Sequence, residues 1–213
     1  LAPLRIIYVM TVMEPDGAGG VTMRGLYAGD DDEAFEAAAA LSRQVNVTVL
    51  DEPQERVAAF LDPREFKTTW LGNKAVYRTR MAIADGGELT ILAPGMHGFG
   101  EDAEIDRLIR RYGYRGTPAT LDAVRENQEL QQNLSAAAHL IHGSSEGRFR
   151  VVYATDPSLL SRREVEGVGF EWRNLGEALA EFPPDRLREG RNHGVYYVSC
   201  PALGLWATRE RMN

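Results

Sequence analysis

The chain has 213 residues, 44% of them hydrophobic, and a formal net charge of −7 from 31 acidic and 24 basic side chains. That length suits one large domain or two small lobes, and it buries roughly 70% of its unfolded surface without disulfide or metal staples. The acidic balance argues against nucleic acid as the main partner, no apolar run approaches a bilayer span, and the single Cys200 excludes an internal disulfide and fits a reducing cytoplasm.

Leu4–Met13 (LRIIYVMTVM) is a continuous apolar run, read as a strand. It has neither the charged n-region nor the long apolar core of a secretory signal. The chain opens on Leu, not Met, so a fragment or a processed product stays open. Glu14–Gly20 is turn chemistry, and Val21–Ala28 reads as a second strand antiparallel to the first. Asp30, Asp31 and Asp32 then open a helix, where acids oppose the macrodipole and cap free amides, and it runs through an alanine row to Gln44. Val45–Leu50 is a β-branched strand. Asp51–Asp62 holds a short apolar run, Val57–Leu61, without a clear assignment.

Phe66–Gly95 (FKTTWLGNKAVYRTRMAIADGGELTILAPG) reads as a helix, a tight turn and a buried strand. Trp70, Lys74 and Arg78 fall at i, i+4, i+8 and share one face, extended by Tyr77 and Met81. Gly72, Val76, Thr79 and Ile83 form the opposite, packing face. Asp85-Gly86-Gly87 stops the helix, Leu89–Ala93 is the strand, and the loop after Pro94 carries His97. A cationic, aromatic helix face near a strand end suits a carboxylate or a phosphate. The plainer alternative is that Lys74 and Arg78 solvate a surface helix. Only Lys67 and Lys74 are lysine among the 24 basic residues, which singles out Lys74.

Glu101–Tyr112 is an amphipathic helix with acids first and arginines last. After an aromatic, Gly-rich turn (YGYRG), Thr117 caps and Pro118 opens a long helical pattern towards His142, interrupted near Asn127, with Leu130, Leu134, Ala138 and Ile141 as its apolar stripe. Its end, NLSAAAHLIHGSSEGRF, puts Ser135 with His139 at i, i+4 and His139 with His142 at i, i+3. Gly143 ends the helix, and Ser144, Ser145, Glu146 and Arg148 crowd the loop behind it. Two histidines at that spacing bind one metal ion if a third ligand such as Glu146 joins them. They serve equally as polar substrate contacts, or as last-turn cations facing helix carbonyls. The tail alternates again: strand Phe149–Ala154, helix Leu160–Gly167 capped by Ser161, a strand at Phe170–Trp172, helix Leu175–Glu181 stopped by Pro183-Pro184, and strand Val195–Ser199. Cys200 reads as a buried small hydrophobe. The whole is expected to be one α/β region over residues 1–213, a layered, mostly parallel sheet with flanking helices. No Walker loop, strand–GxGxxG–helix or G-x-S-x-G elbow is present.

FKTTWLGNKAVYRTRMAIADGGELTILAPG, FGEDAEIDRLIRRYGYRGT and NLSAAAHLIHGSSEGRF together resemble the C-terminal half of the lactate racemase-like family, and within it the branch acting on sugar acids, the D-mannonate epimerase-like proteins. The resemblance runs over roughly Leu4–Ser199 and covers about half of a family member. It implies two α/β lobes with the active site in the cleft, and a nickel pincer nucleotide as cofactor of the full-length protein, with none expected in the isolated chain. It also implies racemisation of a 2-hydroxy acid by reversible hydride transfer at C2. The catalytic histidines and nickel-holding residues are then expected on the N-terminal lobe, outside this chain. Lys74 matches the family lysine that contacts the anionic substrate, beside Asn73. Where lactate racemase has Tyr-Gln before that lysine, this chain has Trp70-Leu71, which argues against plain lactate. His139, His142, Ser144, Ser145, Glu146 and Arg148 then suit the extra hydroxyls of a sugar acid, because sites built on such groups discriminate against analogues lacking them.

Three readings follow: the substrate lobe of a nickel-dependent epimerase, a small metal-dependent enzyme using His139, His142 and Glu146, or a non-catalytic sugar-acid or nucleotide-binding module. The expected partners are a small 2-hydroxy acid and the N-terminal lobe of the same protein, with a homo-oligomer left open and neither nucleic acid nor membrane involved.

Overall fold

The computed structural model describes residues 6–16 and 20–212. The chain divides into two compact units, Leu1–Val49 with Leu203–Leu205, and Leu50–Ala202 with Trp206–Asn213.

In the first unit, strands β1 (Tyr8–Pro15) and β2 (Val21–Gly29) form the expected antiparallel pair, from Tyr8 opposite Gly29 to Pro15 opposite Val21. Leu4 and Arg5 of the expected first strand and turn residues 17–19 lie outside the described residues. Helix α1 (Asp32–Asn46) starts where the acidic triplet suggests, with the Asp31 carboxylate accepting from the Ala34 amide, and runs two residues beyond Gln44. It packs on one sheet face through Ala38 and Val12. The approach is close at Gly25, where a Cβ would stand 2.6 Å from Leu41 Cδ2. Strand β3 (Val47–Leu50) follows, two residues later than the sequence pattern places it.

The second unit is built on a six-stranded sheet. The stretch left unassigned in the sequence supplies its strand β4 (Gln54–Phe60), whose opening Gln-Glu-Arg hides a buried Val57-Ala58-Ala59 core. The crossover from β4 carries two short helices, α2 (Thr69–Gly72) and α3 (Lys74–Thr79), in place of the single longer helix expected. The break falls at Asn73, whose amide is turned inward and fully buried. Asp85-Gly86-Gly87, expected to stop a helix, instead lies inside strand β5 (Ile83–Leu92) as a bulge. Gln54 pairs with Ile83 but Arg56 with Glu88, so residues 84–87 loop out of register. Gly86 at φ 79° supplies the left-handed turn, and Gly87 leaves no room for a Cβ, which would stand 2.9 Å from the carbonyls of Ala84 and Glu55. Ile83 therefore packs from a strand, and Met81 bridges to Ala207.

Helices α4 (Ala103–Tyr112), α5 (Thr117–Glu126), α6 (Gln128–Gln131) and α7 (Leu134–His142) lead to β6 (Arg150–Thr155). The long helical pattern does break at Asn127, but the second break at residues 132–133 shifts the register of α7. Its buried face is Ala136, Ala137, His139 and Leu140, while Leu134 and Ala138 of the expected stripe are exposed. Helix α8 (Arg162–Gly167) begins on the capping box of Ser161 and Glu164 and leads to β7 (Glu171–Asn174). Then come α9 (Leu175–Glu181), β8 (Gly190–Asn192), β9 (Val195–Val198) and β10 (Leu205–Thr208). Cys200 is half-buried rather than buried.

The sheet order is β7-β6-β5-β4-β9-β8, parallel throughout except for β8, which runs antiparallel at the edge. One face, with Val57, Ala59, Ile91, Val151 and Tyr153, is covered from α3, α4 and α7 by Val76, Leu108 and Leu140. The other, with Ala58, Leu92, Ala154 and Tyr197, is covered by Ala178 of α9 and by Phe182. The expected class, a mostly parallel α/β sheet with flanking helices, is the class observed.

Candidate functional site: a buried histidine beneath an aromatic helix face

Helix α2 is seated by the loop that follows β5. The Thr69 amide donates to Gly98 O at 3.2 Å and the Trp70 amide to Phe99 O at 2.8 Å, while the Asp106 carboxylate of α4 accepts from the Phe99 amide at 2.7 Å. This fixes where the side chains of residues 69–73 point.

Behind them runs a chain of short polar contacts. Thr69 Oγ1 donates to Phe99 O at 2.9 Å, Thr69 Oγ1 and Tyr114 Oη stand 2.8 Å apart, and Tyr114 Oη and His139 Nε2 stand 2.8 Å apart. A carbonyl only accepts, so the one Thr69 hydroxyl proton goes to Phe99 O. The Tyr114 proton must then go to Thr69, and the proton between Tyr114 and His139 must come from Nε2. With that order of donation His139 carries its proton on Nε2 and its lone pair on Nδ1. Asn73 completes the group: Tyr153 Oη donates to Asn73 Oδ1 at 2.7 Å, and Asn73 Nδ2 lies 3.4 Å from His139 Nε2.

The Trp70 ring lies over His139 at 4.7 Å between centroids, and Tyr114 meets it edge-on at 5.6 Å. Burial, with the nearby His142 second, lowers the His139 pKa to about 4. The ring is therefore neutral at pH 7. Burial likewise raises the Tyr114 phenol well above its ordinary value.

Of the residues singled out in the sequence, Trp70, Asn73 and His139 meet in this group. Lys74 follows on α3, half-buried, with no ion-pair partner among the described residues. Arg78 lays its guanidinium 5.8 Å from the Tyr77 ring centre, and Tyr77 meets His142 edge-on at 5.9 Å, so the α3 face adjoins the end of α7. His97 sits exposed on the loop after β5, its amide bonded to Lys67 O.

The loop after α7 has its own duties. Arg80 donates to the carbonyls of His142 at 2.7 Å and Ser144 at 2.9 Å, closing the helix end. The Ser144 hydroxyl accepts from the Glu146 amide, and Ser145 O accepts from the Arg148 amide. The Glu146 carboxylate accepts from the Thr117 amide at 3.0 Å and from its hydroxyl at 2.9 Å, capping α5 from across the loop. Thr117, expected to be the cap, is the first helical residue behind Gly116. Arg148 pairs with Asp85 at 2.8 Å and donates to Arg80 O.

His139, His142 and Glu146 therefore do not assemble as a metal site. Nε2 of His139 is committed to Tyr114 and Glu146 to Thr117, and no group of three or more His, Cys, Asp or Glu among the described residues could hold a metal ion. No helix among them is long and apolar enough to cross a membrane. Tyr114, Thr69, Tyr153 and Arg80 were not singled out in the sequence. The one available signal was a tyrosine inside the strand pattern FRVVYA, among the apolar residues that follow Arg150, since a buried phenol needs a partner.

This architecture defines a lactate-racemase-like α/β fold. The chain superposes on a crystal structure of a Thermotoga maritima protein with a TM-score of 0.72 and 20% identity, over 95% of this chain and 49% of that one. It superposes on the lactate racemase apoprotein of Thermoanaerobacterium thermosaccharolyticum with a TM-score of 0.60 and 14% identity, over 86% of this chain and 42% of that one. The chain thus spans about half the length of either structure. No protein-family model and no curated protein sequence matches it.

Proposed function

We propose that this chain is the substrate-binding lobe of a racemase or epimerase of 2-hydroxy acids, with Lys74 as the group that orients the substrate carboxylate. The observation that carries this reading is Lys74 itself. It is a half-buried cation without an ion-pair partner among the described residues, the first residue of α3, directly after Asn73, whose side chain accepts from Tyr153, and four residues after Trp70, whose ring lies over His139, in a fold shared with lactate racemase. A carboxylate docked there gains a charge-assisted hydrogen bond on a preorganised wall. Trp70 and Leu71, apolar where lactate racemase has Tyr-Gln, argue against plain lactate as the substrate. A sugar acid such as mannonate, with hydroxyls for His142 and Ser145, fits the reading.

The reaction at C2, by hydride transfer to a nickel pincer nucleotide, is assigned in this proposal to a longer protein in which a second lobe provides the nickel ligands and the base. The donors described in this chain do not form a nickel site. The chain's own part is to bind and orient the substrate. The test is to purify the full-length parent from a host that makes the cofactor, then measure nickel and intact mass. Near-stoichiometric nickel with a nucleotide-sized adduct, and sugar-acid turnover at least tenfold reduced by Lys74→Ala, is the expected result. Folded protein without nickel or adduct would leave only the fold in common with lactate racemase and favour a binding module.

A further inference from the structure

The sheet face covered by α9 carries a cavity of about 450 Å³, separated by the sheet from the His139 group. Its floor is apolar, formed by Phe182, Leu187 and Val195. Its wall is cationic. Arg56, Arg186 and Arg188 line it together with His193, and Glu181 is the one acid among its lining residues. Glu181 is already engaged twice, by Arg56 and by Arg173, which reaches its other oxygen at 2.5 Å. The nearest carboxylate to Arg186 is the adjacent Asp185, at 3.9 Å with both side chains about four-fifths exposed, a pair that contributes little. Arg188 has no ion pair among the described residues.

The rim that presents these two arginines is held by its backbone. The Arg186 and Leu187 amides donate to Pro183 O. Asn192 accepts from the Arg188 amide at 3.2 Å and donates to the Arg188 and Gly190 carbonyls at 2.7 and 2.8 Å. Fixed backbone presenting one guanidinium without an ion pair among the described residues and one held only weakly by Asp185 is an arrangement that binds an oxyanion by paired, charge-assisted hydrogen bonds. In a chain of net charge −7 this wall inverts the local sign, with two positive charges left after Glu181 is counted. That matches a dianion. The volume exceeds what orthophosphate fills and falls within the range of small-ligand sites, and the apolar floor suits an organic body.

We propose that this cavity binds a phosphate monoester, the phosphate held by Arg186 and Arg188 and the body of the molecule resting on Phe182 and Leu187. The site is independent of the racemase reading. Titration calorimetry of the 213-residue chain at low ionic strength, with orthophosphate, glycerol 3-phosphate and AMP as separate probes, tests it. Saturable binding of at least one ester is expected, with orthophosphate at least fivefold weaker. A loss of tenfold or more is expected in the Arg186→Gln/Arg188→Gln double variant, whose exposed positions leave the circular dichroism unchanged. Preference for AMP over glycerol 3-phosphate would identify a nucleoside body, and the reverse a small polyol. Absence of saturable heat with all three probes at millimolar concentration, equal binding by the double variant, or loss of binding in Lys74→Ala instead, would overturn the proposal.

Discussion

Nε2 of His139 and the phenol oxygen of Tyr114 stand 2.8 Å apart, and the direction of the proton between them is set two contacts away, at the carbonyl of Phe99. A loop carbonyl is thereby linked through Thr69 and Tyr114 to a helix histidine. The buried polar group couples α2, the turn before α5, α7 and β6 into one unit, and it is satisfied only if every member is present.

Tyr114→Phe removes the middle member. Thr69 loses a donor and His139 Nε2 an acceptor, both buried, while the ring stacking on Phe170 at 4.4 Å remains. The expected cost is about 1–3 kcal/mol in urea unfolding, with an unchanged m-value. A loss below 0.5 kcal/mol would show that the relay is not formed.

The depressed pKa of His139 makes stability depend on pH. The folded state keeps the ring neutral down to about 4, whereas the unfolded chain takes up a proton near 6.5. Between those values the unfolded state binds more protons, so stability is lost as pH falls through that window, and nothing further is lost from this group below about 4. The contribution is on the order of 3 kcal/mol. In His139→Gln the fall in stability from pH 7 to pH 4 should be smaller by that order, measured by denaturation at both pH values. Equal slopes in the two proteins would contradict the buried, neutral ring.

Gly143 closes α7 with an ordinary backbone, φ −79°, so alanine there carries no conformational penalty. Its Cβ would nonetheless stand 2.2 Å from Asn73 Nδ2 and 2.5 Å from Tyr114 Cε1. Gly143→Ala should cost about 1–3 kcal/mol through overpacking. It should also disturb tryptophan fluorescence, because Trp70 lies on His139. A neutral substitution would mean that the Asn73–Tyr114 group yields freely.

Glu146 separates stability from binding. Its carboxylate caps α5 through Thr117, so Glu146→Ala should lower stability by about 1 kcal/mol, read by thermal unfolding. Lys74→Ala should leave stability within about 0.5 kcal/mol, because the ammonium has no ion-pair partner among the described residues. Reversal of that order would exchange the two roles.

The sequence by itself determined the class of fold and most of its pieces. β-Branched runs gave the strands, Asp31 and Ser161 announced their helices, and the alternation of strand and helix required a mostly parallel layered sheet. These are local properties of periodicity and capping, legible in short windows. The bulge at Asp85-Gly86-Gly87 was not legible, because the same residues end a helix or leave a strand according to what the partner strand offers, and β4 was the strand left unassigned. The helix break at Asn73 has the same origin: a hydrogen bond from Tyr153, eighty residues on, outweighs local propensity. The sequence brought Trp70, Asn73, Lys74 and His139 forward as residue types. Only the tertiary structure joined His139 to Tyr114 and Thr69, tied Glu146 to Thr117, and gathered Arg56, Arg186 and Arg188 around one cavity. Those pairings depend on which faces of distant segments meet across the sheet, and no spacing along the chain encodes that.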